Sequence, residues 1–445
     1  MSIKNDSITR EIINIGVPAM FETLVSTLTG IIDSKMVSAL GVTAISSVVV
    51  TNQPRLFLFT PFFAINTVTA SLTARNVGKG DRDAANRILD AVMKLVVVLS
   101  FIMSLFAVLF ARPVMIVFSN QKDTLDASIL YFRIVMGGML FSTFFMAVNS
   151  ALRGCGRTKI TFTTNIVSCV VNIIFNYLLI EGHFGFPRLE YAGAAIATVL
   201  GNAAATLITL FFAFKAELFV NIPYCLRKKY KVTREVLAEI GDMAKNCIAD
   251  SFTLRLSLLI SSGIVARIGS FHMAIYSVGV HLMNVNMALG TGLQTAAVAL
   301  IGRCFGAGDM EGIKTYKKHI IKLSAVTGVI LGALIMGGGR WFCGFFSNDT
   351  EFLSTGAASC VVVGVMTLGQ TMKFAFSGCL QGVGAMKEVM IASVIAFAGV
   401  NLVTMAVLVM VFRFGLWGVL AGSLLTQFTQ AASLYVFMRK KKAIF

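Results

Sequence analysis

The chain has 445 residues, 56% hydrophobic and 13% charged, with a formal net charge of +17 and a mean hydropathy of +0.81. So few charges for so much apolar surface exclude a water-soluble globular domain. The apolar residues recur in runs near the roughly 20 that a bilayer-spanning helix needs, far longer than the alternating strands of a membrane β-barrel.

Twelve spans are predicted, at about 12–38, 44–72, 89–111, 129–152, 160–180, 191–214, 241–266, 272–300, 319–338, 353–378, 388–411 and 415–437. The fold expected is an all-α membrane protein. The first span carries Glu22 and Asp33. A carboxylate in hydrocarbon is costly and normally faces a cavity or a partner. The two stand 11 positions apart, roughly three helical turns, so both point to one side. Pro18 falls in the first turn of this predicted span, where proline is tolerated. Pro54 and Pro61 in span 2 predict a kinked helix.

Further along, Asn149 in span 4 is a cleft candidate. Span 5 carries Asn165, Asn172 and Asn176, the last two at i and i+4 on one face. Span 7 holds Asp250, with Arg255 five positions on and therefore on another face. Span 10 holds Gln370 and Lys373. The stretch 215–240 is the longest polar segment and is expected to be a linker between an N-terminal half, 1–214, and a C-terminal half, 241–445.

The positive charge is distributed as membrane topology would have it. Arg75, Lys79, Arg82 and Arg87 follow span 2; Arg153, Arg157 and Lys159 follow span 4. Arg227, Lys228 and Lys229 follow span 6, and Arg303, Lys314, Lys317 and Lys318 follow span 8. Lys4, Arg10 and the run Arg439–Lys442 flank the outermost spans, whereas loops after odd spans carry at most one or two basic residues, such as Lys122. Both termini are therefore expected on the cytoplasmic side, with the first span retained rather than cleaved. No role with nucleic acid follows.

The chain repeats itself. SLTARNVGKGD (71–81) matches ALIGRCFGAGD (299–309), and ALRGCGRTK (151–159) matches CLQGVGAMK (379–387), both with an offset of 228. AGAAIATVLGN (192–202) matches WGVLAGSLLTQ (417–427) with an offset of 225. One offset at separated places signals a duplication. Six spans per copy is an even number, so the two six-helix bundles share an orientation and a pseudo-two-fold along the membrane normal.

Catalytic signatures do not appear. VGKGD lacks the GxxxxGK[ST] form of a phosphate loop, and its glycines suit tight turns at helix ends. The eight cysteines form no CxxC and the four histidines have no metal-ligand spacing. No HExxH and no Ser/His constellation appears. The chain is expected not to be an enzyme and to use no cofactor.

These motifs, in this order over nearly the whole chain, resemble the multidrug and toxic compound extrusion (MATE) family: the span-1 proline followed by IIDSKMVSALG, VGKGD with its repeat FGAGD, LRGCGRTK with its repeat LQGVGAMK, and YAGAAIAT. The resemblance implies two lobes around a central cleft and export of small organic, often cationic amphiphilic, compounds in exchange for inward H⁺ or Na⁺. It places Asp33 on the family's coupling-ion aspartate, with Asn172, Asn176 and Thr198 around it. Asp33, Asn172 and Asn176 become metal ligands if the ion is Na⁺. Glu22, Asn149, Asp250, Gln370 and Lys373 are the candidates for contact with substrate. Some members have an aspartate where this chain has Asn176, a glutamate in span 7, or an aspartate in span 10 where this chain has Gln370. Position 261, at the repeat offset from Asp33, is a serine, so ion coupling is expected in the N-terminal lobe alone. The setting implied is a monomer spanning a bacterial inner membrane. The alternatives left open are a flippase for lipid-linked precursors and an exporter of one specific metabolite.

Overall fold

The computed structural model describes all residues except 1, 119–121, 216, 348 and 442, and side chains except, in addition, 2–6, 42–45, 122–123 and 410. The side chains of Lys4, Lys122 and Lys442 therefore lie outside the described residues. Among those described there are helices and connecting turns and no strand. The first half comprises α1 (Ser2–Ser38), α2 (Val42–Lys79), α3 (Arg82–Leu109), the short α4 (Ala111–Phe118), α5 (Lys122–Gly137), α6 (Met139–Gly154), α7 (Thr158–Ile180) and α8 (Glu190–Ala213). After the short α9 (Ile222–Lys228) come α10 (Arg234–Ile268), α11 (Ser270–Ala307), α12 (Met310–Gly344) and α13 (Thr350–Gly382). Next, α14 (Met386–Ser393) continues through π-helical turns and α15 (Leu402–Met405) to Val411, and α16 (Leu416–Lys440) follows.

Among the described residues ten helices are long and apolar enough to cross a membrane, and α5 with α6 forms an eleventh, bent by 44°. α16, with 25 residues, completes the twelve; Gln427 and Gln430 interrupt its apolar run. The chain is a multi-pass, twelve-helix, two-bundle membrane protein. Its outward apolar side chains agree: Leu207 is 68% exposed and Trp341 65%, surface that only hydrocarbon would welcome.

Several local expectations change. α1 begins ten residues before the predicted span, so Pro18 sits in its interior rather than its first turn, leaving the Asn14 carbonyl without its helical donor. α2 runs as one helix past Pro54 and Pro61. Span 4 is broken at Gly137–Gly138, where paired glycines let the helix bend. The linker is not simply polar chain. It contains α9, capped by Asn221, whose side chain accepts from the Tyr224 amide at 2.8 Å, and it docks on α3: Asn86 Nδ2 donates to the Phe219 carbonyl, and Asn86 Oδ1 accepts from the Asn221 amide, both at 2.9 Å.

The duplication is visible in the backbone. Asp81 caps α3 by accepting from the Ala84 amide at 2.8 Å, and Asp309 caps α12 by accepting from the Gly312 amide at 2.7 Å. Just before them, Gly80 and Gly308 take left-handed φ values of 72° and 73°, which a Cβ would strain.

Two compact units result, one of residues Phe21–Ala244 and one joining Met1–Met20 to Lys245–Phe445. In the first, α7 and α8 approach closely because a Cβ on Gly193 would lie 2.6 Å from the Leu179 carbonyl oxygen. In the second, Gly332 of α12 lies against the Gly364 carbonyl of α13, at 2.6 Å by the same measure. Small residues that bring backbones together drive helix association where lipid removes the hydrophobic effect. Glu11 ties the start of α1 to the second unit, accepting from Arg303 at 2.6 Å and from the Tyr316 hydroxyl.

Candidate ion and substrate sites

α1 presents Glu22, Ser26, Gly30 and Asp33 along one stripe, and all four line a single cavity of about 380 Å³ in the Phe21–Ala244 unit. The helical period alone aligns them. The cavity divides into two ends.

At one end is Asp33. Asn176 Nδ2 of α7 donates to Asp33 Oδ1 at 2.6 Å. The Asn172 amide is satisfied at both atoms in one orientation, donating through Nδ2 to Asp33 Oδ1 at 2.8 Å and accepting through Oδ1 from the Thr198 backbone amide at 3.2 Å. Asn176 Oδ1 is buried without a hydrogen-bond partner among the described residues. Asp33, Asn172, Asn176 and Thr198, which the family resemblance groups, come together here from three helices. The site can offer a carboxylate, two amide oxygens and a hydroxyl, a donor set that suits a hard cation.

Two further residues belong to this end. Arg55 of α2 lines the cavity and acts electrostatically on Asp33. Tyr131 of α5, 7% exposed, shares a hydrogen bond with Thr198. An arginine inside an apolar span is the signal that finds Arg55. Nothing in the local sequence marks Tyr131.

At the other end Glu22 is engaged. Its Oε2 accepts from Thr161 Oγ1 at 2.8 Å and its Oε1 from Arg153 Nη1 at 3.3 Å. Asn149 Nδ2 donates to Thr164 Oγ1 at 2.8 Å one turn further along α7. Between the ends, Ser26 donates to Asn165 Oδ1 at 3.2 Å and Asn202 to Ser142 Oγ at 2.8 Å. A polar column therefore runs along the cavity.

Asp250, Gln370 and Lys373 line a separate cavity of about 290 Å³ in the other unit. Gln370 Oε1 accepts from Asn286 Nδ2 at 2.5 Å. Asp250 accepts from the Ser393 hydroxyl and interacts electrostatically with Lys373. The Lys373 ammonium stands over the rings of Phe374 and Phe397, 5.4 and 5.5 Å from their centroids. Asp250 lies 228 positions after Glu22, so the repeat superposes the two carboxylates, a correspondence the offset already contained. At the position equivalent to Asp33, Ser261 donates to the Ser257 carbonyl at 2.7 Å and accepts from Asn401 at 3.4 Å.

Comparison with known proteins agrees with this architecture. The MatE family model matches residues 18–178 and 247–429. A probable multidrug resistance protein NorM of Thermotoga maritima is 23% identical over 416 residues, 93% of this chain and 89% of that protein. The multidrug export protein MepA of Staphylococcus aureus is 23% identical over 444 residues, 97% of this chain and 94% of that protein. Among solved structures, the outward-facing conformation of a multidrug resistance MATE family transporter of the MOP superfamily has a TM-score of 0.89 at 18% identity, covering 98% of this chain and 96% of that one. With two matched segments spanning both halves, the chain belongs to the MatE family of membrane transporters.

Proposed function

We propose that this protein is a cation-coupled antiporter that exports small organic compounds, with H⁺ or Na⁺ exchanging at Asp33. The observation that carries the reading is the Asp33–Asn176 contact beside the partnerless Asn176 oxygen. A side-chain amide is ambivalent. Turned one way, Asn172 and Asn176 donate to the bare carboxylate; turned the other, they present oxygens to a cation seated on it. Protonation of Asp33 instead removes the charge that holds those donors. Either event changes the hydrogen bonding between α1, α7 and α8. A bound ion and a bound substrate then bias the same transition by preferring different states.

On this reading the 1–214 and 241–445 halves act as two lobes joined by the linker. Both termini face the cytoplasm of a bacterial cell, and the protein works as a monomer. The multidrug names of the relatives support small organic compounds as substrates, and the family resemblance makes cationic amphiphiles the first ones to try. Expression in a cell stripped of its own exporters should confer resistance to ethidium, and Asp33→Asn should remove it while the protein remains in the membrane at wild-type amount. Resistance unchanged by Asp33→Asn would defeat the assignment.

A further inference from the structure

We propose that the cavity lined by Asp250 and Lys373 binds a zwitterionic amphiphile, its ammonium on Asp250, its anionic group on Lys373, and a small apolar body along the methionine-rich wall. This goes beyond the exporter reading by adding a zwitterionic class to the cationic one proposed there, and it rests on that reading only for the direction of transport.

The two units treat equivalent carboxylates differently. Glu22 is closed by Arg153 at 3.3 Å and by Thr161 at 2.8 Å. Asp250, at the same place in the repeat, has its cation on a different helix position: the residue equivalent to Arg153 is Gln381, and the base is Lys373. Lys373 acts on Asp250 electrostatically, yet forms no salt bridge with it and no hydrogen bond to any described residue. Lys373 is 9% exposed, and its ammonium stands over two aromatic faces. A buried ammonium is stabilised by ring faces only in part, and its three donors are left over.

The acceptor side is incomplete in the same way. Gln430, 7% exposed, donates through Nε2 to Ser393 Oγ at 2.8 Å, and Ser393 in turn donates to Asp250. Among the described residues the buried Gln430 Oε1 atom has no hydrogen-bond partner, and neither has Gln427 Oε1 on the same wall. An acid, a base and two spare acceptors therefore converge on one cavity whose remaining wall includes Leu254, Met283, Met287, Met366 and Phe374.

Charge bookkeeping selects the ligand. The acid and base sum to zero. A monocation on Asp250 would bring like charge towards Lys373, and a monoanion on Lys373 would do the same towards Asp250; like-charge juxtaposition is how a site rejects a wrong partner. A molecule with both charges close together satisfies the open groups at once. At about 290 Å³ the cavity sits at the lower edge of the roughly 300–1,000 Å³ range for drug-sized ligands, which favours a body of one or two fused rings.

The test is equilibrium binding of three matched probes to the purified full chain in nanodiscs: tryptophan (zwitterion), tryptophan methyl ester (cation) and N-acetyltryptophan (anion). The wild type is expected to bind tryptophan about tenfold or more tighter than either single-charge analogue, the worth of one charge-assisted hydrogen bond. Lys373→Met should shift the preference to the ester and Asp250→Asn to the anion. Because each leaves one charge unopposed, the neutral double variant Asp250→Asn/Lys373→Met serves as the folding control and should bind all three alike. Equal wild-type binding of tryptophan and its ester, an unchanged order in Lys373→Met, or binding of none of the three overturns the proposal. Those results leave ethidium export through Asp33 untouched, and loss of ethidium export leaves them untouched.

Discussion

Asn176 donates to Asp33 at 2.6 Å although 143 positions separate them. The bond joins α1 to α7 inside a cavity, and it places the one carboxylate at that end of the cavity under the control of an amide that can also turn its oxygen inward. Asn176→Leu removes the donor and the spare oxygen together. If the coupling ion is Na⁺, its half-saturating concentration should rise, because a ligand oxygen is lost; if it is H⁺, the concentration should fall about tenfold or more, because the lost bond stabilised the ionised carboxylate and a hydrogen bond to a charged group is worth about 1.5–3 kcal/mol. Substrate efflux measured against imposed ion concentration checks this. An unchanged dependence would remove Asn176 from the ion site.

Glu22 holds a different kind of bond. It is 8% exposed and is met by both Arg153 and Thr161. Glu22→Ala should destabilise the Phe21–Ala244 unit by about 1–3 kcal/mol, the cost of leaving charged and polar partners unsatisfied. The additional replacement Arg153→Met should recover part of the loss, because a missing pair is cheaper than a broken one. Thermal unfolding in detergent distinguishes this from a pure substrate contact, for which the melting temperature would not move.

Gly193 and Gly201 let α8 lie on α7. A Cβ on Gly193 would come within 2.6 Å of the Leu179 carbonyl oxygen, and one on Gly201 within 2.7 Å of the Ser168 oxygen and 3.0 Å of the Asn172 Cβ. Gly201→Val should therefore destabilise by about 1–3 kcal/mol, as overpacking does, and also impair ion coupling by displacing Asn172. Gly193→Val should cost stability with less effect on coupling. Unfolding and efflux measured on the same samples separate the two.

The docked linker carries a pH dependence. The Tyr230 hydroxyl donates to Asp83, and burial first, then this bond and the Asp83 charge, raise its ionisation above the ordinary tyrosine value. A raised value means that the bond's contribution is complete below the unfolded tyrosine range near pH 10 and is lost as the pH climbs through the folded value. On the buried face of α9, within the linker, burial, with Asp90 adding, pushes the Cys225 thiol up to about 12. Cys225 should resist maleimide at pH 8 in the wild type, the thiolate being the reactive form, and should react faster in Tyr230→Phe. Equal rates in the two, read by mass spectrometry of the labelled peptide, would mean that the contact does not hold the linker down.

Much of this was legible in the sequence because a membrane narrows the choices. Apolar runs give the spans, and a carboxylate among them stands out. The eleven-residue spacing places Glu22 and Asp33 on one wall, and the glycines of the repeat reappear with matching left-handed φ. What stayed hidden depends on partners far along the chain. Arg153 reads as one more basic loop residue, yet it closes on Glu22 across 131 positions. Tyr131 carries no signal of its own, because an aromatic in a span is usually packing. The helical start of α1 lies in polar sequence that hydropathy passes over. The break between α5 and α6 needs only two adjacent glycines, and adjacent glycines also lie inside the unbroken α12.

The most direct measurement is ethidium transport in proteoliposomes, with a Na⁺ gradient and a pH gradient imposed separately, for the wild type and Asp33→Asn. The wild type should move dye under one of the two gradients: under the pH gradient alone if Asp33 carries a proton, and only with Na⁺ if Asp33, Asn172, Asn176 and Thr198 hold a cation. Asp33→Asn should be silent under both. Gradient-driven transport that survives in Asp33→Asn would contradict the assignment of Asp33 as the coupling residue.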